Sequence, residues 1–275
     1  MRKIRHTEIA SIIHFSMFVI MLTLSASTVQ AAMHKEEINY SHGDTQLKGY
    51  VFWDDAYEGK RPAVLVFHEW WGLNDYALLR AEMLAEEGYL AFAVDMYGDA
   101  KMTRHAGDAK GWMLQVTQNI DSWQQRAAIA HQQLLKRDDV DTGKIAAMGY
   151  CFGGATVMQL AYTGKEINGV ISVHGSMPLA SAEQSAKINA RVLVLHGASD
   201  EFIPAERVQK FTSALNSAGV DWEMDVYGNA KHGFTNPYAD GYGMKGLEFN
   251  EIAERRSWDR TLTFLEELFS PDELF

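Results

Sequence analysis

Cysteine is nearly missing from this chain: among 275 residues there is one, Cys151. A lone thiol cannot close a disulfide within the chain, and it cannot build a cysteine-based zinc site. Proline is also scarce, at five residues, so little interrupts regular structure. Positive charge is in deficit, with 25 Lys and Arg against 36 Asp and Glu and a formal net charge of −11. A surface that binds nucleic acid is expected to be basic, so nucleic acid is set aside as a partner. There are no internal repeats and no low-complexity segments.

Long apolar runs are confined to the N-terminus. Arg2, Lys3 and Arg5 precede an almost wholly apolar stretch from Ile12 to Ala26, and Val29-Gln30-Ala31 then offers small residues at the two positions a signal peptidase reads. The stretch is too short and interrupted to span a bilayer comfortably. Residues 1–32 are therefore expected to be a signal peptide, and residues 33–275 a single domain. An uncleaved anchor and a true start at Met33 are the alternatives. Once cleaved, the chain has no stable membrane insertion and is exported, periplasmic or secreted. A free thiol is unusual in an oxidising compartment, and makes sense if it is in use.

What is present is alternation of strand and helix. Pro62 to Phe67, Tyr89 to Val94, Lys144 to Met148, Gly169 to Val173 and Val192 to Leu195 read as buried strands. Glu37 to Tyr40 and Leu47 to Phe52 form an expected edge hairpin. Trp222, Met224 and Val226 alternate with acidic residues, which predicts a strand burying one face. Helices are expected from Asn74 to Gly88, from about Ala109 to Leu135, and from Pro204 to Gly219; a last one contains Trp258, Leu262 and Leu265. This order predicts an α/β fold: a doubly wound, mainly parallel sheet with helices on both faces, expected as a monomer. Chemistry in such sheets gathers beyond the carboxyl ends of the strands.

At one of those ends stands Gly149-Tyr150-Cys151-Phe152-Gly153-Gly154. Small residues on both sides of Cys151 permit a sharp strand-to-helix turn, which lifts the thiol out of the sheet and aims helix N–H groups at it. The alternative is an ordinary joint with a buried cysteine packed as a small hydrophobe. Further along, Asp200 lies on the loop after the strand ending at Leu195, and His232 after the strand ending near Val226. Nucleophile, acid and histidine in that order are the arrangement of the α/β-hydrolase fold. An imidazole can take a thiol's proton, and a carboxylate can fix the imidazole tautomer and steady its charge.

From about Glu37 onward the chain resembles the dienelactone hydrolase family. The resemblance is carried by Phe67-His68-Glu69-Trp70-Trp71-Gly72-Leu73-Asn74, Asp95-Met96-Tyr97-Gly98, the elbow, Leu195-His196-Gly197-Ala198-Ser199-Asp200 and His232-Gly233-Phe234. It implies an α/β-hydrolase fold and a Cys151–His232–Asp200 triad cleaving a small-molecule ester or lactone through a thioester. It also implies that Glu69 pairs with the resting thiol, and that the backbone N–H groups of Trp70 and Phe152 form the oxyanion hole. The arginines with which the family holds a substrate carboxylate are replaced here by Asp99 and Asn236. Neutral substrates are accordingly expected, in a pocket lined by Trp70, Trp71, Tyr97 and Phe234. Arg104 is the cation that could reach in from the following loop.

His68-Glu69 begins like a zinc-protease helix, but Gly72 stands where the second histidine is required, so no metal is expected. Neither a phosphate loop nor a dinucleotide fingerprint is present, so no cofactor is expected. His174 and His196 are read as hydrogen-bonded loop residues. Acyl transfer on the same triad, and a non-catalytic or redox thiol on the same fold, are the competing functions.

Overall fold

The computed structural model describes residues 32–270, so the expected signal peptide, apart from its last residue Ala32, lies outside the described residues. Eight strands form one sheet: β1 (Met33–His42), β2 (Thr45–Asp54), β3 (Arg61–Phe67), β4 (Leu90–Val94), β5 (Val140–Tyr150), β6 (Gly169–Val173), β7 (Arg191–Gly197) and β8 (Trp222–Tyr227). Their spatial order is β1-β2-β4-β3-β5-β6-β7-β8. The β1–β2 hairpin adds to β4 antiparallel, and every pair from β4 to β8 is parallel. Strands β4 and β6 are buried along their whole length, as parallel strands covered on both faces must be.

Two apolar cores account for that burial. One face packs against α2 (Ala106–Thr117), α3 (Ile120–Leu134), α4 (Phe152–Ala161) and α6 (Ala205–Ser217), with Trp123, Phe152, Leu160 and Phe211 in the core. The other packs against α1 (Asp75–Glu86) and α7 (Glu251–Phe269) through Tyr76, Leu84, Phe264 and Leu265. Helices cover both faces, which makes the sheet doubly wound and the fold that of the α/β-hydrolases. The remaining helix, α5 (Ala182–Ser185), is one turn closed by a capping box between Ser181 and Gln184.

Two elements depart from the sequence pattern. The single helix expected from Ala109 to Leu135 is broken into α2 and α3. Asn119 leaves helical geometry and its side chain accepts from the Ser122 N–H, which caps a new helix although the apolar periodicity runs on through Val116, Ile120 and Trp123. Strand β8 lies at the sheet edge, and Val226 is 57% exposed, while Trp222 and Met224 are only partly buried against the core.

Candidate active site

The elbow is as tight as its glycines require. Cys151 has φ +55° and ψ −110°, a conformation that side-chain-bearing residues avoid, and α4 starts at the next residue. A Cβ on Gly149 would collide with the Gly153 carbonyl, and one on Gly153 with the backbone of Phe67 and His68. Only glycine at both places lets the strand fold back so sharply while lying against the end of β3. The thiol emerges half-buried.

Two acceptors take the Cys151 N–H: the carbonyl of Val173, at 3.0 Å, and Nδ1 of His174, at 3.1 Å. That bond fixes the His174 tautomer. With Nδ1 accepting, the proton sits on Nε2, which lies 2.9 Å from the Thr235 hydroxyl. Thr235 in turn meets the Tyr76 hydroxyl at 2.6 Å, and its carbonyl accepts from Arg80 at 2.7 Å. Burial and the neighbouring His232 charge push the His174 pKa well below its ordinary value, so this ring stays neutral. His174 is thus the hydrogen-bonded residue expected of it. His196 differs, because its Nδ1 is buried without a partner.

The loops after β7 and β8 bring Asp200 and His232 together. His232 Nδ1 donates to Asp200 Oδ2 at 2.8 Å, and the side chain of Asp200 is fully buried. The other carboxylate oxygen accepts from the Phe202 N–H at 2.9 Å, and the Phe202 ring stands edge-on to His232 at 5.2 Å. Nε2 of His232 is left for the thiol. Burial alone would depress the His232 pKa. The Cys151 charge and hydrogen bonds to Asp200 and Cys151 outweigh it, with a further contribution from the Asp200 charge, and push the value up to about 10.

Glu69 is buried in the loop after β3, with Asn236 as the partner of one carboxylate oxygen. Its Oε2 accepts from Asn236 Nδ2 at 2.6 Å, and no hydrogen bond joins it to Cys151. A buried carboxylate needs a donor, and the amide at position 236 supplies one. Burial raises the Glu69 pKa to about 7, opposed by the Asn236 hydrogen bond and by the charges of His232 and Arg80. Among the described residues, no partner takes the backbone N–H of Trp70, which follows Glu69, or of Phe152, which follows Cys151.

The cleft at Cys151, about 460 Å³, is aromatic through Trp123, Phe152 and Phe202 rather than through the residues expected. Trp71 and Phe234 belong to the interior, Trp71 stacked flat on Tyr242 at 3.9 Å, while the Tyr97 hydroxyl donates to the Trp70 carbonyl. Arg104 lines a different cavity of about 430 Å³, over the Tyr242 ring, so it is not a cation of the thiol cleft. Asp99 is exposed. Asp95, earlier in the same segment, is structural: its carboxylate accepts from the N–H groups of Lys48, Tyr97, Gly98 and Ala100 and so shapes the loop.

Several contributors gave no sign in the sequence. Arg80 is 3% exposed, bonds Glu254 at 2.8 Å and is enclosed by Tyr76, one turn earlier in α1, and by Tyr150 and Trp258 from distant parts of the chain. Thr235 was hidden in the same way. No three His, Cys, Asp or Glu side chains cluster as a metal site among the described residues.

A sheet of this topology, with a cysteine on its elbow and a paired imidazole and carboxylate on the last two parallel loops, defines a protein of the α/β-hydrolase fold. The profile of the dienelactone hydrolase family matches residues 47–269, and the chain belongs to that family, whose members are hydrolases. It is 37% identical to the dienelactone hydrolase-like promiscuous phosphotriesterase from metagenomic libraries, over 87% of this chain and 100% of that one, with a TM-score of 0.84. A Yersinia pestis protein provisionally designated carboxymethylenebutenolidase is 28% identical over 76% of this chain and 81% of its own length. A protein of Saccharolobus solfataricus with the same provisional designation is 26% identical over 84% and 98%.

Proposed function

We propose that the protein hydrolyses carboxylic esters or lactones with Cys151 as nucleophile, His232 as proton carrier, Asp200 as its anchor, and a thioester acyl-enzyme as intermediate. The Cys151 thiolate attacks the carbonyl carbon, forming the C–S bond and sending the carbonyl π electrons to oxygen. The Trp70 and Phe152 N–H groups receive that oxyanion, and each such donor is worth about 3 kcal/mol in the transition state. Collapse breaks the bond to the leaving oxygen, which takes its proton from His232. Water then gives a proton to His232 and attacks the thioester, releasing the acid and restoring the thiolate.

The observation that carries the proposal is His232, held on Asp200 at 2.8 Å with its pKa raised by the Cys151 charge. A histidine whose affinity for a proton is raised beside a cysteine is suited to take the thiol's proton and to pass one to a leaving group. Glu69, held by Asn236, acts beside this pair as a carboxyl that titrates near neutrality, and pairs with the thiol only by leaving Asn236. Turnover of small neutral aryl esters by wild type and by Cys151→Ala tests the reaction. Full activity in the variant rules the thiol out.

The likeness to the metagenomic phosphotriesterase supports a second activity on neutral phosphotriesters through the same nucleophile. Release of p-nitrophenol from a diethyl aryl phosphate, lost in Cys151→Ala, tests it. We also place the working domain outside the cytoplasm, as a monomer. N-terminal sequencing of the exported chain and its sedimentation test these two points.

A further inference from the structure

We infer that Thr235 is a positioning residue that joins the elbow of Cys151 to the loop of His232, and so sets how thiol and imidazole meet. This rests on the hydrolase function proposed above. The partners of Thr235 are His174, Tyr76 and Arg80 rather than any reacting atom, and it acts through the first of them.

The joint begins with a turn. His232 leads straight into Gly233–Asn236, where the Asn236 N–H donates to the Gly233 carbonyl at 2.9 Å and Gly233 takes φ +69°. The two residues that close this turn grip different parts of the site. Asn236 holds Glu69, the neighbour of Trp70, and Thr235 holds His174. From Thr235 to the nucleophile every link is then a hydrogen bond. The Thr235 hydroxyl accepts from His174 Nε2 at 2.9 Å, and His174 Nδ1 accepts from the Cys151 N–H at 3.1 Å. His174 is fully buried and Thr235 is 2% exposed, so bulk water does not compete for these bonds.

One imidazole thus touches both halves of the site: its Nδ1 bears on the elbow, and its ring lies 5.1 Å from the ring of His232. His174 also stands at φ +38°, a left-handed backbone that favours glycine, so its partners must hold it there. Thr235 can do so because it is itself held twice. The Tyr76 hydroxyl meets its hydroxyl at 2.6 Å, and Arg80, paired with Glu254 of α7, clamps its carbonyl at 2.7 Å. A threonine hydroxyl has one donor and two acceptor sites, enough for His174 and Tyr76 together. Valine has the same shape and serves neither.

The test follows single-turnover acylation by a p-nitrophenyl ester, which separates ester affinity from the acylation rate. It compares wild type, Thr235→Val, Thr235→Ser, His174→Ala and the double variant Thr235→Val/His174→Ala. Thr235→Val is expected to slow acylation about three- to tenfold with affinity unchanged, and Thr235→Ser to recover most of the rate. Because Thr235 acts through His174, the double variant is expected to acylate no more slowly than His174→Ala alone. A wild-type rate in Thr235→Val, or losses that multiply in the double variant, overturns the inference. If Thr235→Val does not fold, Tyr76→Phe takes its place in the same cycle, since it removes only the hydroxyl that holds that of Thr235, and the same outcomes decide. Cys151→Ala is run on the same ester. If p-nitrophenol is released without Cys151, the proposed reaction itself fails and the inference falls with it; a Cys151-dependent release with an unmoved rate in Thr235→Val removes the inference alone.

Discussion

Asn236 donates a 2.6 Å hydrogen bond to Glu69 in a region closed to solvent, and so holds the carboxyl that the family resemblance assigns to the resting thiol. Both residues lie within a few ångströms of the His232 loop, since a Cβ on Gly233 would come 3.9 Å from Glu69 Oε1. Replacing Asn236 with leucine keeps the volume but removes the donor. The orphaned carboxyl is expected to cost about 1–3 kcal/mol of stability, read from urea denaturation, and adding Glu69→Gln is expected to restore part of it.

The raised Glu69 pKa has a definite sign in the pH dependence of stability. Between the ordinary value of 4.5 and about 7, the folded protein keeps a proton that the unfolded chain releases. Folding stability from this group therefore falls as pH rises through that window. Relative to wild type, Glu69→Gln is expected to be more stable at a pH of about 8 than at about 5. Parallel denaturation curves at the two pH values check this, and an unchanged difference contradicts it.

His232 and Cys151 are electrostatically joined. Removing the thiol by Cys151→Ala deletes the charge and the hydrogen bond that hold the His232 pKa near 10, leaving burial to oppose Asp200. The imidazole titration, followed by NMR of the ring protons, is expected to move to lower pH in the variant.

His174 positions the elbow without touching the reacting atoms. His174→Ala leaves the Cys151 N–H with only the Val173 carbonyl and takes a partner from Thr235. We expect kcat to fall about tenfold or more with the fold retained, since misplacement near the chemistry is costly. Glutamine, which can accept and donate at the same two places, is expected to recover part of the loss. Steady-state kinetics on one aryl ester, with circular dichroism as the control for folding, checks both variants.

Arg80→Met removes the clamp on the Thr235 carbonyl and leaves Glu254 without its cation. Destabilisation of about 3 kcal/mol is expected for breaking so enclosed a pair. Glu254→Gln, which leaves the enclosed Arg80 guanidinium without its carboxylate, is expected to cost at least as much.

The strand-to-helix elbow was legible because its causes are local: Gly149 and Gly153 stand beside Cys151 in the chain, and each is forced by backbone a few ångströms away. The order of Cys151, Asp200 and His232 was legible because each follows a stretch whose apolar pattern, continuous or alternating, marks a strand. The break at Asn119 was not, since a side-chain cap overrides an apolar period that continues past it. Nor were Arg80, Thr235, Tyr76 and His174, which meet only after α1, β6 and the His232 loop have packed. Glu69 is marked by its neighbours in sequence, but the partner it takes is Asn236, four residues past His232, which the pattern marks only as the place of an absent arginine. The aromatic lining was misjudged for a related reason: Trp71 and Phe234 flank the site in sequence yet point into the interior, while Trp123 arrives from α3.

The most direct measurement is mass spectrometry of the protein quenched in acid during turnover of a slow aryl ester. An adduct of one acyl group, released by hydroxylamine and mapped to the peptide bearing Cys151, is the predicted result. Full turnover with no acyl group on that peptide at any quench time, or an acyl group on another residue, would contradict it.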